Sequence, residues 1–338
     1  MAKRRPDSPV SETTIWTDGR SARTVAGVLD ALGPTVRPLA VGGPRADAIA
    51  DLARHLDRPC EDDLRKLLVH YPAAFVLLAT AKGVRAEHLH TAVEHGTTVL
   101  SLEPVADDLP ALAELTEAPS RRRGGGVGAT YGHVVHAPAF VASPGHLSAA
   151  EPHDALGPQR TVLFQSVGRL GEGSLFARLF DAWRTVLTLT PMPLTIDATL
   201  VADEPDVPQS LRRIAGSMTA HARLPGAGAV VLSVADRAGA THRHLHVLGD
   251  AAELRVTDTG YTLHQATGQL LDRGNPYTRL PFAELVAHQW RSVLDRRPAA
   301  AADAHPRDAD ALACCLTCLL SARTTAAEDP RRILEIRA

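Results

Sequence analysis

Hydrophobic and polar positions follow two different rhythms along this chain, and the change comes near Gly157-Pro158. Before it, short unbroken apolar runs alternate with stretches of helical period. Phe75-Val76-Leu77-Leu78-Ala79 has no polar interruption, the pattern of a strand buried on both faces. Arg85 to His95 then carries Ala86, Leu89, Ala92 and Val93 at helical spacing and stops at Gly96. Val99-Leu100 opens the next strand and Glu103-Pro104 closes it. Strand, helix and strand within about thirty residues form a parallel crossover unit.

The same alternation precedes this unit. Thr13 to Thr17 reads as a first strand and Arg23 to Leu32 as a helix stopped by Gly33-Pro34. Val36 to Val41 is a second strand, and Arg45 to Leu56 a helix with Ile49, Leu52, Ala53 and Leu56 on one face. Asp62 to Val69 is a short helix, Leu109 to Leu115 another, and Tyr131 to Phe140 the last strand of the first domain. Residues 1–12 read as a disordered tail. The whole predicts an α/β, Rossmann-like domain over 13–140, with a parallel sheet covered on both sides.

After Gly157-Pro158 the strands alternate in and out: Thr161–Val167, Leu194–Val201, Met218–Leu224, Ala229–Ala235, Arg243–Leu248, Glu253–Thr257 and Tyr261–His264. Helices are expected over Pro281–Asp295 and Arg307–Thr324, flanking an alanine-rich linker at 298–302. This predicts a second, α+β domain over 141–338 with an open, largely antiparallel sheet.

Composition narrows the function classes. The chain has 338 residues, 45% hydrophobic and 22% charged, with a net charge of −2, which gives no electrostatic case for nucleic acid or anionic membrane. Lys3, Lys66 and Lys82 are the only lysines. The basic start has no apolar segment behind it, and no run approaches a membrane span, so a cytoplasmic protein is expected. Three of the four cysteines, Cys314, Cys315 and Cys318, share one helix, which is no disulfide framework. G-x-S-x-G, H-E-x-x-H and G-x-x-x-x-G-K-[ST] are all absent.

The stretch Ala74–Ala106 resembles the end of the dinucleotide-binding domain in the glucose–fructose oxidoreductase / inositol dehydrogenase / MocA family. There a strand ending A-T-P-N leads through a helix to a strand ending E-K-P. Ala79-Thr80-Ala81-Lys82 faces the first motif and Leu102-Glu103-Pro104 the second, without a gap. The resemblance implies a nicotinamide cofactor site that includes Thr80 and Lys82. It also implies that Glu103 stands where the family has its lysine. The family's G-G-G…D…H helix start corresponds to Gly171–Asp181, with Ala177 at the aspartate position and Asp181 at the histidine position. All three of the family's catalytic groups are therefore replaced. Glu103 and Asp181 remain candidate replacement catalysts, since two facing carboxylates can make a general acid; polar residues on a relaxed cleft wall are the other reading.

A phosphate-binding G-x-G-x-x-G/A turn would fall on Thr17, Gly19 and Ala22, of which Gly19 and Ala22 suit it; an ordinary strand-to-helix turn fits equally. The second strand ends at Gly43 in place of the ribose-binding acid, with Arg45 two residues on. That pattern favours NADP over NAD, unless Arg45 merely caps a helix. Arg121 to Gly126 reads as a charged surface loop or, alternatively, a phosphate nest. His242, His244 and His246 share one strand face, and suit either a metal or a polar sheet surface. Three readings of function follow. The first is a non-catalytic pseudoenzyme that binds a small molecule, nucleotide or partner. The others are an active NADP-dependent sugar or polyol oxidoreductase, and a structural or regulatory subunit of a homo-oligomer joined through the second domain's sheet.

Overall fold

The computed structural model describes residues 10–121, 133–204, 206–275, 279–295 and 307–335. These fall into two compact units, one within 1–105, 114–137 and 286–304, the other within 106–113, 138–285 and 305–338.

In the first unit, β1 (Ser11–Trp16), β2 (Val36–Gly42), β3 (Cys60–Glu61), β4 (Phe75–Leu78), β5 (Thr98–Ser101) and β6 (Val134–His136) form one sheet in the order β3-β2-β1-β4-β5-β6. Every pairing is parallel. The crossovers run through α1 (Ala22–Leu32), α2 (Ala46–Leu56), α3 (Leu64–His70) and α4 (Ala86–Glu94), and α5 (Leu109–Arg121) follows β5. Ile15, Trp16, Val76, Leu77, Leu78, Val99 and Leu100 are buried, so the unbroken apolar runs do form strands covered on both faces. Asp63 starts α3 by accepting from the amides of Arg65 (2.8 Å) and Lys66 (3.1 Å).

The second unit opens with a 3-10 turn (Phe140–Ala142) and two short helices, α6 (Pro144–Ser148) and α7 (Ala150–His153). Its strands are β7 (Gln159–Val167), β8 (Thr195–Val201), β9 (Ser217–Arg223), β10 (Ala229–Ala235), β11 (His242–Gly249), β12 (Ala252–Thr257), β13 (Tyr261–Gln265) and β14 (Leu270–Gly274). They pair in the order β14-β13-β12-β11-β7-β10-β9-β8, and only β7 with β10 is parallel. α8 (Leu175–Leu189) and, beyond α9 (Phe282–Asp295), α10 (Asp308–Thr324) pack on one face; α11 (Pro330–Glu335) ends the described chain. The opposite face presents the alternate residues of each strand, such as Ala229, Val231, Ser233 and Ala235, exposed or half-buried.

Some expectations need correcting. Of the strand expected over Tyr131–Phe140, residues 131–132 lie outside the described residues and Val134–His136 form β6, which stops there because Pro138 cannot donate to a ladder and Phe140 turns into the 3-10 segment. Ser11 and Glu12, expected in the tail, belong to β1; residues 1–9 lie outside the described residues. Arg121 ends α5, while the rest of the expected loop at 122–126 and the linker at 298–302 also lie outside them. β3 and β14 carried no signal, being a two-residue strand and an edge strand with mostly exposed side chains.

Gly43 tests the packing where β1 and β2 end. A Cβ built there would lie 2.1 Å from the carbonyl oxygen of Thr17. Gly43→Ala should lower stability by about 1–3 kcal/mol. Gly239→Ala, where a Cβ meets nothing within 4 Å, should stay within about 0.5 kcal/mol of the parent in the same urea titration.

Candidate functional site

Two groups of residues singled out in the sequence gather where a fold of this kind places function. In the first unit the strand order reverses between β1 and β4, so the loops leaving these strands flank a crevice at the switch point. Thr17, Gly19 and Ala22 lie on the β1 side, and Thr80 and Lys82 on the β4 side. Asp18 joins them. Its Oδ1 accepts from the amides of Arg20 (3.2 Å) and Ser21 (3.1 Å), and its Oδ2 lies 3.2 Å from Lys82 Nζ. Lys82 is fixed in turn: its carbonyl accepts from Trp16 Nε1 (2.9 Å) and its amide donates to Thr80 Oγ1 (3.3 Å). Burial alone would raise the Asp18 carboxyl. Hydrogen bonds from Lys82 and the Ser21 amide, with the lysine charge, outweigh it and hold the group below its ordinary value.

The remaining candidates of this unit have local occupations. Gly19 lies so close to α2 that a Cβ would sit 3.2 Å from the carbonyl oxygen of Ala48. Gly43 is demanded by the close passage of Thr17. Arg45, at the start of α2, is exposed and grips Asp47 with Nε (3.3 Å) and Nη2 (2.6 Å). Glu103 follows β5, where its carbonyl accepts from Ser101 Oγ at 2.5 Å.

Asp181 belongs to the second unit and lies in a buried polar cluster. α8 is buried along nearly its whole length, so each charged side chain on it requires a partner. Ser174 caps the helix through the Ala177 amide (3.1 Å). Arg178 donates to the carbonyl of Glu172 (2.6 Å), and Arg184 pairs with Asp308 on α10 (2.8 Å). Asp181 Oδ1 accepts from the amide of Phe140 (2.9 Å), and its Oδ2 from Arg243 Nη1 (2.8 Å). Arg243, 4% exposed, also reaches Asp258 through Nε (2.8 Å), donates to the carbonyl of Pro138 (2.6 Å) and lies 5.4 Å from the centre of the Phe140 ring. Both carboxylate oxygens of Asp181 are thus committed inside the fold.

His242, His244 and His246 do share one face of β11. His242 and His244 stack edge to face at 5.3 Å, and His246 Nε2 lies 2.8 Å from Glu253. Burial pushes the first two imidazoles down, helped for His242 by His244. Among the described residues no group of three or more His, Cys, Asp or Glu side chains is arranged to hold a metal ion. Cys314, Cys315 and Cys318 are buried, and Trp183 Nε1 lies 3.4 Å from Cys318 Sγ as its donor. Among the described residues no helix is long and apolar enough to cross a membrane.

Sequence reasoning passed over Asp18, Arg243 and Asp258. Asp18 had a signal, an aspartate followed three and four residues on by a helix start. Arg243 and Asp258 had none, because their pairing depends on which strands meet.

No family model and no curated protein sequence matches the chain. Solved structures do. Levoglucosan dehydrogenase in complex with NADH and L-sorbose shares 13% identity at a TM-score of 0.66, over 94% of this chain and 98% of its own. UDP-N-acetylglucosamine 3-dehydrogenase GnnA from Acidithiobacillus ferrooxidans shares 15% at 0.68, over 93% and 98%. An oxidoreductase from Agrobacterium radiobacter, in complex with NAD+, L-tartaric acid and magnesium, shares 11% at 0.70, over 96% and 100%. The chain has the fold of these three proteins. It is the α/β-plus-open-sheet architecture that the sequence resemblance implied.

Arg243→Met strands two buried carboxylates, and should cost about 3–5 kcal/mol in urea unfolding. For Asp18 the sign follows from its lowered folded value. Its contribution is present above the unfolded carboxylate value of about 3.9 and is lost as pH falls. The stability gap between the parent and Asp18→Asn should therefore be open at neutral pH and close on acidification through the carboxylate range.

Proposed function

We propose that this chain is a non-catalytic member of the dehydrogenase fold, acting by binding a small molecule, nucleotide or protein partner. The observation that carries the reading is the state of Asp181. It stands at the resembled family's histidine position, yet both its oxygens are bound by Arg243 and the Phe140 amide. A proton carrier needs an oxygen or nitrogen free toward the substrate. Ala177 offers no titratable group, and Glu103 supplies an anion where hydride transfer to or from an alcohol calls for a cation beside the developing oxyanion.

A second reading, a structural subunit of a cytoplasmic homo-oligomer, is favoured by the sheet face that α8 and α10 leave open. Its interior strand β10 presents Ala229, Val231, Ser233 and Ala235, small or apolar and half-buried. Of the two nicotinamide nucleotides, the missing carboxylate at Gly43 disfavours NAD, and Arg45, the residue that could meet the 2′-phosphate of NADP, is engaged by Asp47.

Turnover decides the first reading. With sugar alcohols or aldoses and either nicotinamide nucleotide, the purified protein should show no rate above background. A rate on the order of 1 s⁻¹ or more, abolished by Glu103→Ala, would overturn it. For the second reading, light scattering should give an oligomer that Val231→Asp converts to monomer without loss of helical circular dichroism.

A further inference from the structure

Two of the similar structures hold NADH or NAD+. The residues around the β1–β4 crevice of this chain do not fit such a dinucleotide. A pyrophosphate seated at a helix start needs free backbone amides and room above the turn. Here the Arg20 and Ser21 amides already donate to Asp18 Oδ1 at 3.2 and 3.1 Å. The other oxygen of the same carboxylate reaches across the crevice to Lys82 Nζ at 3.2 Å. The glycine that would admit a phosphate, Gly19, is explained by α2 instead, with Ala48 3.2 Å from where its Cβ would stand. Position 43 cannot regain a ribose-binding acid, because any side chain there meets Thr17.

We infer that Asp18 takes the seat of the pyrophosphate and, latched to Lys82, keeps NAD(H) and NADP(H) out of this crevice. The carboxylate holds the two amides just ahead of α1 and brings a negative charge to the positive end of that helix. An incoming diphosphate would have to displace it from two amides and a lysine, then remain beside it as a second anion, which is repulsive at a few ångströms. The Lys82 end is exposed and by itself worth little. The exclusion therefore resides in the carboxylate on its amides rather than in the ion pair.

The test is binding alone, by NADH and NADPH fluorescence titration, with inorganic pyrophosphate as a second probe read by thermal shift. The parent and Lys82→Ala should show no saturable binding up to about 1 mM, and Asp18→Gly should gain at least about tenfold in affinity for all three probes. Asp18→Ser, which keeps a neutral acceptor for the helix start, guards against misfolding of the glycine variant and should gain likewise. Micromolar binding by the parent would overturn the inference. So would folded Asp18→Gly and Asp18→Ser proteins as weak as the parent, or a gain in Lys82→Ala equal to that of Asp18→Gly. Because no alcohol is present, the outcome is independent of turnover: a protein that binds NADH but converts nothing sinks this inference and leaves the non-catalytic reading standing.

Discussion

The guanidinium of Arg243 is the constraint around which the second unit is arranged. A cation taken out of water must be surrounded by acceptors, and this one has two carboxylates, a carbonyl and an aromatic face. They come from three different parts of the chain. Asp181 lies on α8, Asp258 on the turn after β12, and Pro138 and Phe140 on the segment that leads into the unit. The cluster therefore fixes the register of α8 against the sheet and anchors the incoming chain at once. It also determines what Asp181 is available for, since an oxygen used to neutralise a buried arginine is withdrawn from proton transfer.

The first unit solves a related problem at the end of β1. A parallel sheet directs the helix following its first strand so that bare amides face the crevice at the switch point. Asp18 fills that demand from within, and Lys82 balances the charge from the opposite lip. At these two places the polar groups are answered by other residues of the same chain. Such internal satisfaction gives rigidity, and a shared fold does not by itself carry a shared chemistry.

Much of this architecture was legible in the residues because its signals are local. The run from Phe75 to Ala79 reads as a strand covered on both sides and forms β4 over Phe75–Leu78, and β10 matches the expected Ala229–Ala235 at both ends. Helix starts were legible to within a residue both in α2, where apolar spacing is strong, and in α10, which is buried nearly all round. β3 and β14 were not, because they are held by partners rather than by their own pattern. The site was less legible than the fold. That Thr17, Gly19, Thr80 and Lys82 belong to neighbouring loops follows from strand order, but the side chain joining those loops is Asp18, which no periodicity marks. The burial of Asp181 was hidden for the same reason: α8 lacks an exposed stripe, and a helix covered all round looks in sequence like any helix with a few charges.

The four cysteines give the molecule an unplanned chemical asymmetry. Cys60, on the short strand β3, faces solvent, whereas the three on α10 are enclosed and their thiols are pushed up by burial, Cys318 to about 12. A thiolate is the reactive form, so alkylating reagents can reach only the first while α10 stays packed. One modified sulfur would then signify an intact core and four a dissolved one, which makes mass spectrometry of labelled protein a direct count of how many molecules have opened.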